Sequence, residues 1–564
     1  MMIGNRDLEP NRDGTAAWAP LAHPVYRAFF FAQLASNTGL FMQNVGAVWL
    51  MGSLGGTAVM IALVQTAQSL PMFLFGMPAG ALADLVDRRR LLFVAQSIML
   101  VAAGVLALLT WTGNTTPLLL LVATFALGSG NALNIPAWQA SQPELVPRRE
   151  FPQAIALGTA TGNFGLAVGP AIGGLIVALS GPGTVFLINC VLFVPMAIAI
   201  TRWRREPHVS QLPAERLAAA IRAGVRYARH SSMLLRIFAR VVAITVPIAV
   251  ITALLPVVAR HELGMDSTGY GLLLACFGGG GVLSTFVTPW LRAHLSVDGR
   301  LALACVLSAL TATALATVTF VPVLGLVLLT GGAGWQLTWA TFQVATQRSL
   351  PAWVRARGMS LYFLVWAGSY AVGGAMWGEV ADLFDARLAL LSAAVLLVAS
   401  MALALRWPLA LTESFDHDMV TDLPSPPTLM LEPGAGPILV TREYIVRPGR
   451  RSEFIDAMHA IRTMRQQLGA FAWGLYDDPS AADRIIETYQ TETWSDHLRQ
   501  SARMTVNARR IEHMVADMTV PNSDDPRFYV DALSTRTRVS VGRRRNTRKR
   551  MDDPPPLSDA NQIT

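Results

Sequence analysis

Gly165-Leu-Ala-Val-Gly169-Pro170-Ala-Ile-Gly173-Gly174 lies inside an apolar run from about Ile155 to Leu179. Glycine and proline at that density break a soluble helix. A membrane helix tolerates both, because neighbouring helices close on the small residues and satisfy the freed backbone groups. The stretch also has a twin 204 residues later, Ser369-Tyr-Ala-Val-Gly373-Gly374-Ala-Met-Trp-Gly378, in which Ala167, Val168, Gly169, Ala171 and Gly174 recur in register. Gly128 and Gly130 repeat at the same offset as Gly332 and Gly334, and Pro147 as Pro351. The chain reads as an internal duplication, the form in which many transporters are built, with their binding site near the membrane midplane at the repeat interface.

Composition places that duplication in a bilayer. Of 564 residues 52% are apolar and only 15% charged, with a mean hydropathy of +0.42; these values lie outside the range of a soluble enzyme. The opening segment lacks the basic patch, short apolar core and small-residue cleavage site of a secretory signal, so the first span is expected to be retained. Cys190, Cys276 and Cys305 are far apart, each within an apolar run, and form no metal or disulfide pattern; free thiols and no metal are expected. The net charge of +8 comes from arginines in short loops and in the final tail, a topological signature that gives no reason to expect nucleic acid.

Apolar stretches near the ~20 residues needed to cross a bilayer predict six spans in residues 27–202 and six more in 236–411. Loops with Arg88, Arg89, Arg90, Arg148, Arg149, Arg292, Arg300, Arg348, Arg355 and Arg357 alternate with loops carrying little beyond Arg260 and Arg387. The positive-inside rule therefore puts both termini, including residues 1–26, in the cytoplasm, with 203–235 as a long central cytoplasmic loop. In that loop Leu217, Ile221, Val225 and Ala228 repeat at helical spacing against Arg216, Arg222, Arg226 and Arg229, which predicts an amphipathic helix on the inner leaflet.

After Trp407 the character changes. Residues 412–437 are a proline-rich linker. Residues 438–533 carry a β-α-β-β-α-β pattern, predicting a small α+β ferredoxin-like domain. The basic segment 534–564 is expected to be disordered.

Gly80-Ala-Leu-Ala-Asp84-Leu-Val-Asp87-Arg88-Arg89-Arg90 resembles the loop signature of the major facilitator superfamily, with Asp87 where the signature has its second glycine. Gly165, Gly169, Pro170, Gly173 and Gly174 resemble the fifth-helix glycine-proline signature of that superfamily's exporters. Asn37-Thr-Gly39, Ile135-Pro136-Ala-Trp138, Pro143-Glu-Leu-Val-Pro147 and Leu254-Leu-Pro256-Val-Val-Ala-Arg260 narrow the likeness to the enterobactin-exporter-like, or transmembrane secretion effector, family over roughly residues 25–410. Residues 438–533 resemble the antibiotic-biosynthesis monooxygenase type of α+β barrel.

The resemblance implies a twelve-helix exporter of a small amphipathic, siderophore- or drug-like molecule in a bacterial cytoplasmic membrane, driven by proton antiport without a bound cofactor. It places the first, fourth, seventh and tenth spans around a central cavity. On those spans Asn37 and Asn44, then Asn131, Asn134 and Trp138, then Trp335, Trp339 and Gln343 share helix faces, and polar groups facing lipid are costly. They are the candidate substrate contacts, interhelical hydrogen bonding being the alternative for each. Coupling candidates are Asp84, Arg240, Glu379 and Asp382; Asp84 is expected to gate rather than carry the proton. Arg240 sits near enough to the cytoplasmic edge to snorkel, and Glu379 and Asp382 are within reach of Arg387.

No Gly-x-x-x-x-Gly-Lys-Ser/Thr loop occurs, which disfavours an ATP-driven pump. The second reading is a transporter fused to a catalytic domain, with His459, His497, His513 and Trp473 as pocket groups. A fold does not license a chemistry, and a dimerisation or regulatory role for 438–533 is the preferred expectation.

Overall fold

A computed structural model describes residues 18–147, 150–203, 217–351, 353–409, 431–432, 434–481, 483–520 and 526–531. The expected linker and basic tail fall almost wholly outside them. The chain divides into two compact units, Met1–Asp418 and Met419–Thr564.

The first unit is helical. Its first half contains α1 (Pro24–Ser53), α2 (Ala58–Leu85), α3 (Arg88–Trp111), α4 (Pro117–Leu145), α5 (Phe151–Ser180) and α6 (Pro182–Arg202). A shorter helix, α7 (Leu217–His230), precedes α8 (Ser232–Val257), α9 (Ser267–His294), α10 (Val297–Thr317), α11 (Val321–Arg348), α12 (Arg355–Leu383) and α13 (Ala386–Arg406). Proline opens α1, α4 and α6, where its missing N–H costs nothing. Side-chain oxygens of Thr57, Asp87, Asp266, Ser296 and Asp385 cap α2, α3, α9, α10 and α13.

Among the described residues eleven helices are long and apolar enough to cross a membrane. The twelfth long helix, α1, has 30 residues but falls short in apolarity because it carries Gln33, Asn37, Gln43 and Asn44. These amides bond one another and neighbouring helices inside the bundle, although Gln33 Oε1 and Gln43 Nε2 are buried without a partner among the described residues. Asn37 Nδ2 donates to Thr161 Oγ1 of α5 at 3.0 Å, and Gln33 Nε2 to Asn37 Oδ1 at 2.9 Å. Asn44 Nδ2 donates to Gln65 Oε1 and Gln68 Oε1 of α2 at 3.2 and 2.6 Å, and Asn189 Nδ2 of α6 donates to Gln43 Oε1 at 2.6 Å.

The glycine twins pack as the duplication predicts. Gly165, Gly169 and Gly173 face α1: a Cβ on Gly169 would lie 2.8 Å from Phe41 Cβ, and one on Gly173 would lie 2.8 Å from Met42 Cα. In the second half a Cβ on Gly373 would lie 2.5 Å from Val246 O of α8, the helix that takes the place of α1. Each half also reaches across to the other. Gly174 abuts Ser267 O and Gly271 of α9, while Gly378 abuts Ala58, Val59 and Ala62 of α2. Small residues let these backbones touch where side chains would hold them apart.

The amphipathic helix forms, but its described apolar side chains meet protein where lipid was expected. Tyr227 and Ala228 are buried with Leu234, Leu350, Val354 and Leu361, and Tyr227 meets Trp353 edge-on at 5.8 Å. The side chains of Leu217 and Ile221 lie outside the described residues, as does Arg216.

The second unit is a four-stranded antiparallel sheet in the order β2-β3-β1-β4, formed by β1 (Ile438–Ile445), β2 (Phe471–Asp477), β3 (Arg484–Thr491) and β4 (Arg527–Val530). Helix α14 (Arg451–Gln467) crosses from β1 to β2, and α15 (Trp494–Ala502) and α16 (Val506–Asp517) precede β4. This is the expected ferredoxin-like order with the second helix split in two. Strict alternation on β3 buries Ile485, Glu487, Tyr489 and Thr491 on one face.

Candidate functional site

Among the described residues, a set of polar contacts joins the halves of the first unit at the arginine-poor end. Asp382, at the end of α12, accepts Ala58 N at 2.7 Å and Val59 N at 2.9 Å, so a carboxylate from one half caps a helix of the other. The Arg260 guanidinium lies 5.5 Å from the centroid of the Trp49 ring on α1, a cation–π contact between halves. Thr66 Oγ1 of α2 donates to Ala371 O of α12 at 3.0 Å. Arg387 donates to Ala316 O at 2.9 Å, and among the described residues it makes no ion pair with Glu379 or Asp382, contrary to the sequence expectation. Glu379 is exposed.

At the arginine-rich end Asp87, Arg88 and Arg89 of the loop signature make bonds within the first half. Asp87 Oδ1 caps α3 through Arg89 N at 2.8 Å. Arg88 Nη1 binds Glu144 Oε1 at the end of α4 at 2.7 Å, and Arg89 Nε donates to Ile200 O of α6 at 2.9 Å. A Cβ on Gly80 would meet Ser360 Oγ at 3.5 Å, an ordinary contact. The Asp84 side chain lies outside what the structure describes. Arg240 does not snorkel. It is 1% exposed and pairs with Asp298 at the start of α10, whose other oxygen accepts Leu409 N at 3.1 Å. Neither the Arg88–Glu144 pair nor the Arg240–Asp298 pair is legible in the sequence, because an acid at a helix end reads as solvated.

The candidate cavity residues divide by environment. Asn37 and Asn44 are engaged in the hydrogen bonds between helices given above. Trp138 stacks on Phe29 at 5.6 Å in an apolar cluster confined to the first half. Asn134 is 3% exposed, and among the described residues its Oδ1 has no hydrogen-bond partner; the same holds for Trp335 Nε1. Trp339 is surrounded by Tyr362, Phe363 and Trp366 at 5.7, 5.7 and 4.8 Å, and Trp335 approaches Trp366 at 6.4 Å. Asn131 and Gln343 are half-buried. The second half thus gathers its indoles around Trp339, while Asn134 of the first half keeps an oxygen without a partner among the described residues.

In the second unit charge lies beneath the sheet. Glu487 is fully buried; it accepts Tyr444 Oη and Trp473 Nε1, each at 2.9 Å, and faces Arg465 Nε at 3.5 Å. Arg465 also binds Glu512 at 3.0 Å. His497 is buried against Trp494 and Phe528. Burial, with the charges of Arg442 and Arg465 adding to it, pushes the His497 pKa down to about 4. His459 and His513 are exposed. Among the described residues no group of His, Cys, Asp and Glu could hold a metal ion.

Known proteins locate this arrangement. The chain is 24% identical over 46% of its length to the staphyloferrin A transporter of Staphylococcus aureus, covering 66% of that protein. It is 28% identical over 35% of its length to the multidrug efflux pump Tap of Mycobacterium tuberculosis, covering 49% of it. The chain thus spans about half to two thirds of the length of these curated relatives. The fold matches a solved POT family transporter in complex with a thioalcohol conjugated peptide (TM-score 0.56, 12% identity, 68% of this chain and 95% of that one). It also matches a bacterial homologue of the human lysosomal transporter Spinster in an inward-facing, unoccupied conformation (TM-score 0.53, 12% identity, 68% and 94%). The family model of the transmembrane secretion effectors matches residues 15–528, and the chain belongs to that family of multi-pass major facilitator transporters.

Proposed function

We propose that this secondary transporter exports a small amphipathic molecule, siderophore- or drug-like, across the cytoplasmic membrane by alternating access coupled to proton antiport. The arginine-rich loops face the cytoplasm by the positive-inside rule. The observation that carries the proposal is the polar closure at the opposite end, where Asp382 caps α2 and Arg260 covers Trp49. A carrier sealed at its outer end is the state that loads cargo from inside. Staphyloferrin A and multidrug relatives support the cargo class. So does a wall of indoles and amides, since an unpaired Asn134 carbonyl and Trp335 N–H gain a hydrogen bond from a polar cargo.

Alanine at Asn134 and at Trp339 should each lower export in cells without lowering the amount of protein in the membrane; unchanged export in both refutes the cavity assignment. Collapse of the pH gradient should stop export, and transport indifferent to it refutes antiport alone. Residues 438–533 form a homodimerisation module in this proposal, supported by the exposed Ile445, Tyr476 and Tyr529 on the sheet face turned away from the helices. Cross-linking of the purified protein with and without these residues tests it.

A second reading, transporter fused to an enzyme, draws on the buried Glu487, Arg465 and Tyr444 cluster. Oxygen consumption by the purified chain on addition of a phenolic cargo would favour it.

A further inference from the structure

The two halves repeat one another closely enough to compare their bases residue by residue. Gly130 of α4 rests on Met99 and Ala95 of α3, and Gly334 of α11 rests on Ser308 and Ala304 of α10, so α3–α4 and α10–α11 are equivalent pairs in register. Seven residues before Ala95 stands Arg88, and four residues before Ala304 stands Arg300; these spacings put both arginines on the contact face in the first turn of their helix. Fourteen residues beyond Gly130 stands Glu144, and fourteen beyond Gly334 stands Arg348.

In the first half the corresponding pair is neutral, because Arg88 binds Glu144 at 2.7 Å. In the second half an arginine takes the place of that acid. Arg292, at the end of α9, and Arg348 both lie close enough to Arg300 to act on its charge. Arg292 and Arg348 are exposed, but Arg300 is only 9% exposed. Among the described residues none of the three side chains makes an ion pair or hydrogen bond, and Arg300 Nε is buried without a partner. The nearby acid in the sequence, Asp298, is taken by Arg240 and Leu409 N. A mostly buried arginine whose Nε lacks a partner, flanked by two more cations and no acid, is stabilised by an anion that completes it.

We propose that Arg292, Arg300 and Arg348 form a phosphate-binding site at the arginine-rich end of the second half. Guanidinium forks match phosphate oxygens bidentately. Basic pockets between helices on the cytoplasmic side take the headgroups of anionic lipids, and a free phosphate monoester offers the same chemistry.

The test uses the full-length protein and reads its thermal unfolding midpoint in phosphatidylcholine nanodiscs with and without phosphatidylglycerol, and in detergent with and without inorganic phosphate. A midpoint raised by phosphatidylglycerol assigns the site to lipid; one raised by inorganic phosphate assigns it to a free anion. Arg348→Glu rebuilds the neutral pair of the first half, so it should fold as well as the parent and lose either response. Arg348→Gln should weaken affinity roughly fivefold for the one charge removed. A parent protein that responds to neither probe overturns the proposal, and so does an Arg348→Glu variant that responds as the parent does.

Discussion

Gly174 and Gly271 meet backbone to backbone across the two six-helix halves: a Cβ on Gly271 would lie 2.9 Å from Gly174 Cα. The pseudo-equivalent contact, Gly378 on Ala62, lies on the other side of the same interface, where a Cβ on Gly378 would lie 2.7 Å from the Ala62 Cβ. Such contacts depend on the absence of side chains. Overpacking costs about 1–3 kcal/mol, charged here to the state in which the helices touch, so Gly174→Leu should depopulate that state roughly 5- to 140-fold. Labelling of a cysteine at Ala58 by a membrane-impermeant thiol reagent should rise in the variant. Equal labelling in variant and parent means that this contact does not hold the outer end shut.

Asp382 serves the same closure by a different force. Its two oxygens accept the first two free N–H groups of α2, so Asp382→Ala removes a cap worth about 1 kcal/mol and Asp382→Asn removes the charge–dipole share of about 0.3–1 kcal/mol. Both should increase outer-end labelling, alanine more than asparagine, while export remains dependent on the pH gradient. Export by Asp382→Asn that no longer depends on the gradient would make this carboxylate the proton carrier.

His497 supplies a pH dependence confined to the second unit. Its pKa falls from the ordinary 6.5 to about 4 on folding, so between these values the unfolded chain binds more protons than the folded one. Stability is then full above about pH 6.5 and declines as the pH falls toward 4, by on the order of 3 kcal/mol. Hydrogen exchange of β1 and β3 amides in the full-length protein, corrected for the intrinsic pH dependence of exchange, should report that loss of protection below pH 6.5. His497→Asn should flatten the profile; an unchanged slope assigns it to another group.

How much of this was legible depends on which residues carry the signal. The duplication showed at Gly169 and Gly373 because close approach admits few side chains. It was silent at α2 and α9, where Ser267 and Gly271 stand 209 residues after Ala58 and Ala62; a five-residue change of offset hides the equivalence, and only the shared contact with Gly174 or Gly378 reveals it. The amides of α1 announced a polar face, but their bonds to Gln65, Gln68 and Thr161 belong to the tertiary structure. Glu487 could have been found: it occupies the same strand parity as Ile485 and Tyr489, which marks it as inward-facing. Arg348 looked like one more inside-positive charge until its place opposite Arg300 was known.

Pro170 concentrates the difference between the halves. It has no N–H to give to Leu166 O, so that carbonyl is free of its helical partner, and it lies against the position a Cβ would take on Gly278 of α9. Pro170 O itself lies 2.5 Å from where a Cβ would sit on Gly271. The second half has Gly374 at this position, where the backbone N–H is retained and the helix ladder can close. Pro170→Ala would restore the bond to Leu166 O and stiffen α5 where it packs against α9, with little change in packing volume. Folding should change little and the helix should gain, since proline costs a helix interior about 3 kcal/mol, whereas export per molecule of inserted protein should fall. Measured export normalised to membrane-inserted protein separates the two effects. A variant that fails to insert makes Pro170 a packing residue, and one that exports at the parent rate shows that the missing bond at Leu166 O plays no part in transport.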